Sequence, residues 1–372
     1  MYNTRPHIKF PVLYLILITG IIFSGCSHMS ELTSEHPPVM DAGVDYSVIY
    51  YIHADSDYLY HDSDGNPVRE NTGVLATAFE VAETARSGEV FIYHQRSERK
   101  ILGLFPRRSS RFYHYRNGQL INRINYRHPD TEEDFLATEA ELINSYRSRN
   151  PGEDHQNYIL YFGHEIPTGN GKGYHQSLPD IDVNIASFAG GIQNFLLPDE
   201  ERFDLAVLST CNNGTPAMAE YLMPVTNVML ASPQNLHLSH IDTGVLTLLE
   251  KDKGISPHQL GRVMAEQNYQ RLEETVQTTI TIALYDFNDI QVYIDRLSSH
   301  TAVDRTPDRV MQFMDNVDCM EVNSLETESY LEGVETWYKP SWFGRQSDQV
   351  LHSGWGCKPI VESISRSMQA GH

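Results

Sequence analysis

A histidine and a cysteine, each placed directly after a short apolar run, are the residues whose setting could do chemistry. Tyr158-Ile-Leu-Tyr-Phe162 runs into Gly163-His164, and Phe203-Asp-Leu-Ala-Val-Leu208 runs into Ser209-Thr210-Cys211-Asn212-Asn213-Gly214. Short apolar runs rich in aromatic and aliphatic residues and closed by polar ones read as buried strands. If the two strands are neighbours, His164 and Cys211 leave the sheet at one edge and face one cleft. There an imidazole can take the thiol proton, and the thiolate can attack a carbonyl. The loop after Cys211 also leads into a helix, so helix amides are expected near both thiolate and oxyanion.

The elements that must position this pair alternate in type. Residues 46–52, 89–93, 158–162, 203–208 and 227–231 read as strands. Residues 73–86 have helical spacing, and 217–222 read as a helix stopped by Pro224. Residues 130–147 read as a long helix capped by Thr131, with a stripe of Phe135, Leu136, Ala140 and Ile143. Residues 111–116 and 119–121 form a hairpin on Asn117-Gly118. This alternation predicts an α/β fold: a mostly parallel sheet with helices on both faces. Polar residues just after the strands then fall at the carboxyl edge, where such folds carry their sites. Beyond about residue 250 the sequence becomes helical and acidic, then aromatic-rich with two cysteines, and reads as a C-terminal region packed on the first.

Composition narrows the function. The 372 residues carry 28 basic against 49 acidic side chains, a formal charge of −21, with no Lys/Arg-rich run. Phosphate binding needs cation density, so nucleic acid is excluded as a partner. Hydrophobic residues at 40% suffice for a sizeable core, and global disorder is excluded too. No self-similar period marks a repeat array.

The N-terminus reads as an export signal. Arg5 and Lys9 precede the apolar run Phe10-Pro-Val-Leu-Tyr-Leu-Ile-Leu-Ile-Thr-Gly-Ile-Ile-Phe23, followed by Ser24-Gly25-Cys26-Ser27. The run falls short of the roughly 20 residues that span a bilayer comfortably. Phe-Ser-Gly-Cys resembles a bacterial lipobox, which implies that Cys26 is lipidated and begins the mature chain. Ser27 in place of Asp then favours the outer membrane. The chain is thus expected to be lipid-anchored in the bacterial cell envelope, in the outer membrane or facing the periplasm. Residues 1–25 would be signal, 26–45 a polar tether, 46–250 the catalytic domain and 251–372 the C-terminal region. Outside the cytosol paired cysteines oxidise; Cys319 and Cys357 are expected to pair, leaving Cys211 as the odd thiol.

The order strand-His, strand-Cys on an α/β sheet resembles the caspase-like cysteine peptidases, and within them the clostripain family. Tyr51-Ile-His-Ala-Asp55-Ser-Asp57-Tyr-Leu is similar to that family's opening strand and its Ala-Asp-Asn-Asp-Leu stretch. Residues 130–143 resemble the helix before its His strand. Tyr158–Gly163-His164 resembles its Leu-Trp-Asp-His strand, the run through Cys211 to Gly214 resembles its Cys strand, and Ala231-Ser232 falls at the next strand end. The resemblance spans roughly residues 46 to 250. It implies a caspase-like fold, Cys211 as nucleophile, His164 as general base and acid, and an oxyanion held by the backbone N–H groups of Cys211 and Glu165. It also implies a substrate pocket that includes Ser209 and Ser232, and a peptide or protein substrate. Two positions depart from the family. Glu165 replaces the Gly after the His, adding bulk and negative charge beside an oxyanion. Ser209 replaces an Asp two residues before the Cys, removing a carboxylate that would bind a basic P1 side chain.

Other motifs read as structural. Asp62, Asp64 and Asn66 have the alternating oxygens of a calcium loop without the Glu that completes an EF-hand, so a solvated turn is expected and no cofactor is assigned. His53, Asp55, His61 and Asp62 lack zinc-site spacing. Gly169-Asn-Gly171-Lys172-Gly173 is not a P-loop and reads as a mobile rim of the cleft. Trp337, Tyr338, Trp342 and Trp355 read as core, with a surface platform as the alternative. Three functions follow: an envelope-anchored cysteine endopeptidase, a non-catalytic binding lipoprotein on the same fold, or a structural envelope protein.

Overall fold

The computed structural model describes residues 43–54, 60–61, 67–68, 71–96, 99–101, 105–107, 110–129, 134–147, 151–175, 177–198, 200–236, 241–290, 332–344 and 347–356. The signal segment with Cys26, the tether up to residue 42, Thr131, the Asp62/Asp64/Asn66 turn, Asp55, Cys319 and Cys357 lie outside the described residues. The main elements in chain order are β1 (Val44–Ala54), α1 (Asn71–Thr84), β2 (Gly88–Arg96), β3 (Arg111–Arg116), β4 (Gln119–Asn125), α2 (Ala137–Tyr146) and β5 (Pro151–Phe162). They continue with α3 (Ile185–Gln193), β6 (Phe203–Ser209), α4 (Pro216–Leu222), β7 (Thr226–Ala231), α5 (Pro257–Thr275), β8 (Ile280–Asp286) and β9 (Val334–Lys339).

One nine-stranded sheet runs in the order β9-β8-β7-β6-β5-β1-β2-β3-β4. The central strands β7, β6, β5, β1 and β2 are mutually parallel, and antiparallel pairs extend the sheet at both sides. Strand side chains alternate between faces, so each strand feeds two apolar layers. On one face Ile49, Tyr51, Ile159 and Tyr161 pack with Ile143, Phe188 and Met218 from α2, α3 and α4. On the other, Val48, Tyr50, Ile52 and Leu160 pack with Ala78 and Val81 of α1 and Leu260 and Met264 of α5. This is the expected α/β layering with helices on both faces. No described helix is long and apolar enough to cross a membrane.

Two expectations change. The helix expected over 130–147 begins only at Ala137, because Leu136 adopts the left-handed region at φ 66°. Successive helical side chains point about 100° apart; the left-handed residue instead lets adjacent Phe135 and Leu136 both enter the core. The C-terminal region is not all helix before its aromatic segment. Beyond α5, β8 and β9 join the sheet beside β7. The hairpin turn is as expected, with positive φ at Asn117 (52°) and Gly118 (74°), but its second strand extends to Asn125.

Candidate active site

β5 and β6 are parallel neighbours whose last matched pair is Phe162 with Ser209. His164 and Cys211 therefore each lie two residues beyond one matched pair. Both emerge at the carboxyl edge of adjacent central strands, the position where open α/β sheets hold ligands.

Ties between the two loops fix their separation. Asn213 is buried; its Oδ1 accepts from the Ile166 N–H at 2.9 Å and from Thr210 Oγ1 at 2.6 Å, and its Nδ2 donates to the Ile166 carbonyl at 3.0 Å. One side chain thus binds both backbone groups of a residue in the His164 loop. Asn212 stands at φ 52°, a region Asn tolerates better than most residues. Its N–H donates to the Gln234 carbonyl at 3.0 Å, and its Nδ2 donates to Glu165 Oε2 at 2.7 Å and Asn235 Oδ1 at 3.1 Å. The carboxylate after the candidate base is therefore held against the residue after the candidate nucleophile.

The Cys loop is also braced from the C-terminal side. The Gly214 N–H donates to the Ser232 carbonyl at 2.8 Å, and the Gly214 carbonyl accepts from the Gly356 N–H at 2.9 Å. A Cβ at Gly214 would collide with Tyr285 Oη and with the Pro233 backbone nitrogen, so no larger residue fits. Tyr285 Oη donates to the Gly354 carbonyl, and buried Trp355 packs on the Tyr285 ring at 4.6 Å. Trp355 is core, Trp337 is partly buried against the α5 face, and Trp342 is exposed beside Lys339 at 5.2 Å. These tryptophans do not form one surface platform.

α4 begins at Pro216, capped by Thr215, and the amides of Asn212 and Gly214 are already bound to carbonyls. These two loop amides are thus engaged away from Cys211, and the N–H groups of Cys211 and Glu165 are the oxyanion candidates. Ser209 is buried, its Oγ accepting from the Ile241 N–H at 2.9 Å. Ser232 is buried at the end of β7, its Oγ lying 2.7 Å from the carbonyls of both Gln234 and Thr281. The Gly169–Gly173 rim is tied down: the Gly171 N–H donates to Asp182 Oδ1 and the Gly173 N–H to the Pro179 carbonyl at 2.8 Å.

Cys211 is half-buried and carries no disulfide. Burial pushes its thiol above the ordinary range, and a hydrogen bond from the Leu236 backbone partly opposes this. Burial also pushes the His164 imidazole below its ordinary value. At neutral pH the site therefore favours a neutral thiol and a neutral base. Among the described residues no group of three or more His, Cys, Asp or Glu is arranged to hold a metal ion. Reading the sequence alone missed Asn213, whose amide type two residues after the Cys was its one visible signal, and the Trp355 strap, which had no local signal.

No protein-family model and no curated protein matches the chain. Among solved structures, an inactive zymogen C11 protease from Parabacteroides distasonis is similar with a TM-score of 0.54 at 10% identity, over 88% of this chain and 96% of that one. A secreted C11 cysteine protease from Bacteroides thetaiotaomicron, solved with an irreversible peptide inhibitor, gives 0.48 at 12% identity over 69% of each chain. With its mostly parallel sheet layered by helices, the chain has the caspase-like fold of the C11, clostripain-family cysteine proteases.

Proposed function

We propose that this chain is an envelope-anchored cysteine endopeptidase in which Cys211 is the nucleophile and His164 the base. The observation that carries the reading is the release of both residues from register-matched ends of β5 and β6, with their loops joined through Asn213. A neutral His164 takes the Cys211 proton as sulfur bonds to the scissile carbonyl carbon. The carbonyl electron pair moves to oxygen, and the N–H groups of Cys211 and Glu165 bind that oxyanion. On collapse the C–N bond breaks and the imidazolium gives its proton to the departing amine. Water, deprotonated by the same imidazole, then hydrolyses the thioester and restores the thiol.

A thiol-directed peptidyl electrophile tests the reading. Labelling confined to Cys211 and lost in His164→Ala supports it; a wild-type chain that takes no label supports the non-catalytic binding reading. That second reading is favoured by one observation, the Glu165 carboxylate held beside the Cys loop, since an anion there opposes an oxyanion. Specificity is read from the resemblance: Ser209 stands where the family has an Asp, so a carboxylate for a basic P1 group is absent there, and burying an unpaired cation costs several kcal/mol. The enzyme is therefore proposed to prefer neutral or small P1 residues. Profiling a peptide library against wild type and Ser209→Asp checks this; strong Arg-directed cleavage by the wild type overturns it.

Anchoring rests on Cys26, and Cys26→Ser is expected to release the chain and abolish palmitate labelling. Cys319 and Cys357 are proposed to pair, which peptide mapping without reduction would reveal as one linked peptide.

A further inference from the structure

Beneath the His164 loop lies a group of buried and half-buried side chains that the proposed chemistry does not use. β1 pairs with β5 as far as Ile52 and Phe162, which sets His53 beside Gly163. A Cβ at Gly163 would stand 3.1 Å from the His53 Cβ, so the loop packs directly on this residue. The Tyr174 ring stacks on the His53 ring at 4.9 Å and 21°. His175 fixes the stack from the side, its Nδ1 3.0 Å from His53 Nε2 and its ring nearly perpendicular at 4.5 Å.

The stack ends on the backbone of the base. Tyr174 Oη donates to the His164 carbonyl at 2.8 Å. A phenol has one proton to give, so at the 2.9 Å contact between the two hydroxyls Tyr161 is the donor. Burial holds His53 and His175 in their neutral forms, and His53 also feels the charge of His164. The other charged groups that bear on the pair are Glu139 of α2 and His128. A neutral stack does not repel the imidazolium that His164 must become.

We propose that Tyr174, seated on His53, is a positioning residue for His164: its hydroxyl fixes the His164 carbonyl, and through it the imidazole's approach to Cys211. The inference rests on the reading of His164 as base. Tyr174→Phe keeps the ring stack and removes only the donor. Its expected effect is about a tenfold fall in the rate at which a peptidyl electrophile labels Cys211, equivalent to ~1.4 kcal/mol. Apparent affinity for the electrophile should stay within about twofold, and the pH profile of labelling should move upward from that of the wild type. Tyr161→Phe, which weakens the Tyr174 hydroxyl without removing it, should give a smaller shift in the same direction and serves if Tyr174→Phe does not fold.

A Tyr174→Phe chain that loses thermal stability but keeps the wild-type pH profile overturns the inference. If wild-type Cys211 takes no electrophile, the peptidase reading fails by itself, and backbone hydrogen exchange then decides the positioning. Faster exchange at residues 163–166 in Tyr174→Phe supports it; unchanged protection there overturns it.

Discussion

Ile166 is fully buried, so its backbone N–H and C=O need partners inside the protein, and Asn213 supplies both. Asn213→Ala strands the two groups at once. At about 1–3 kcal/mol for each unsatisfied buried group, the loss should be roughly 2–6 kcal/mol in urea unfolding. Asn213→Asp keeps the acceptor for Ile166 N–H and loses the donor to its carbonyl, so it should also label slowly at Cys211. Glu165 makes a different prediction. Its carboxylate lies against Asn212, the residue next to Cys211. Glu165→Gln keeps an oxygen for Asn212 and removes the charge. Alkylation by anionic iodoacetate should then accelerate about fivefold more than alkylation by neutral iodoacetamide, the ~1 kcal/mol of a single partly screened charge. An unchanged ratio between the two reagents would show that the carboxylate does not act on Cys211.

At the scale of elements, the nucleophile loop is held from two directions that lie far apart in sequence. Trp355 fills the space under Tyr285, and Gly356 reaches the Gly214 carbonyl. Trp355→Ala should cost about 3–5 kcal/mol, as large-to-small changes of buried aromatics do, and should slow Cys211 labelling by loosening Gly214. Gly214→Ala should lower activity more than stability, because its Cβ is forced against Tyr285 Oη and the Pro233 backbone within the site loop itself. Tyr285→Phe should partly rescue it. The same geometry explains what was legible in advance. The strands that carry His164 and Cys211 announce themselves locally, through apolar runs and the polar residues that close them. Their adjacency was only a condition of that reading, and the register of β5 with β6 supplies it. The start of α2 was not legible, because a left-handed Leu136 is imposed by packing of two adjacent apolar side chains. Nor was the docking of β8 on β7 or of Trp355 on Tyr285, since both pairings join distant segments and leave no periodic trace.

For the whole molecule, acid pH sets two effects against each other. Native His53, His94, His164 and His175 are all held below the ordinary histidine value by burial, His94 and His175 to about 4. In the unfolded chain these residues titrate near 6.5, so between there and about pH 4 the unfolded state binds protons that the native state refuses. Stability is therefore fully present above pH ~6.5 and is lost as pH falls toward about 4. From about pH 7.5 to 5.5, His94 and His175 together should remove roughly 3 kcal/mol. Against this stands the formal charge of −21, whose self-repulsion relaxes as pH approaches the isoelectric point near 5.1. Salt separates the two. At about 1 M the Debye length is ~3 Å, which screens surface repulsion but leaves the burial of an imidazole untouched. The urea midpoint should thus fall between pH 7.5 and 5.5, and fall more steeply in high salt than in low. His175→Gln should flatten the high-salt slope by about half of that 3 kcal/mol. A midpoint that rises toward acid pH at both ionic strengths would mean that these histidines admit protons in the native state, and the neutral stack beneath His164 would then be wrong.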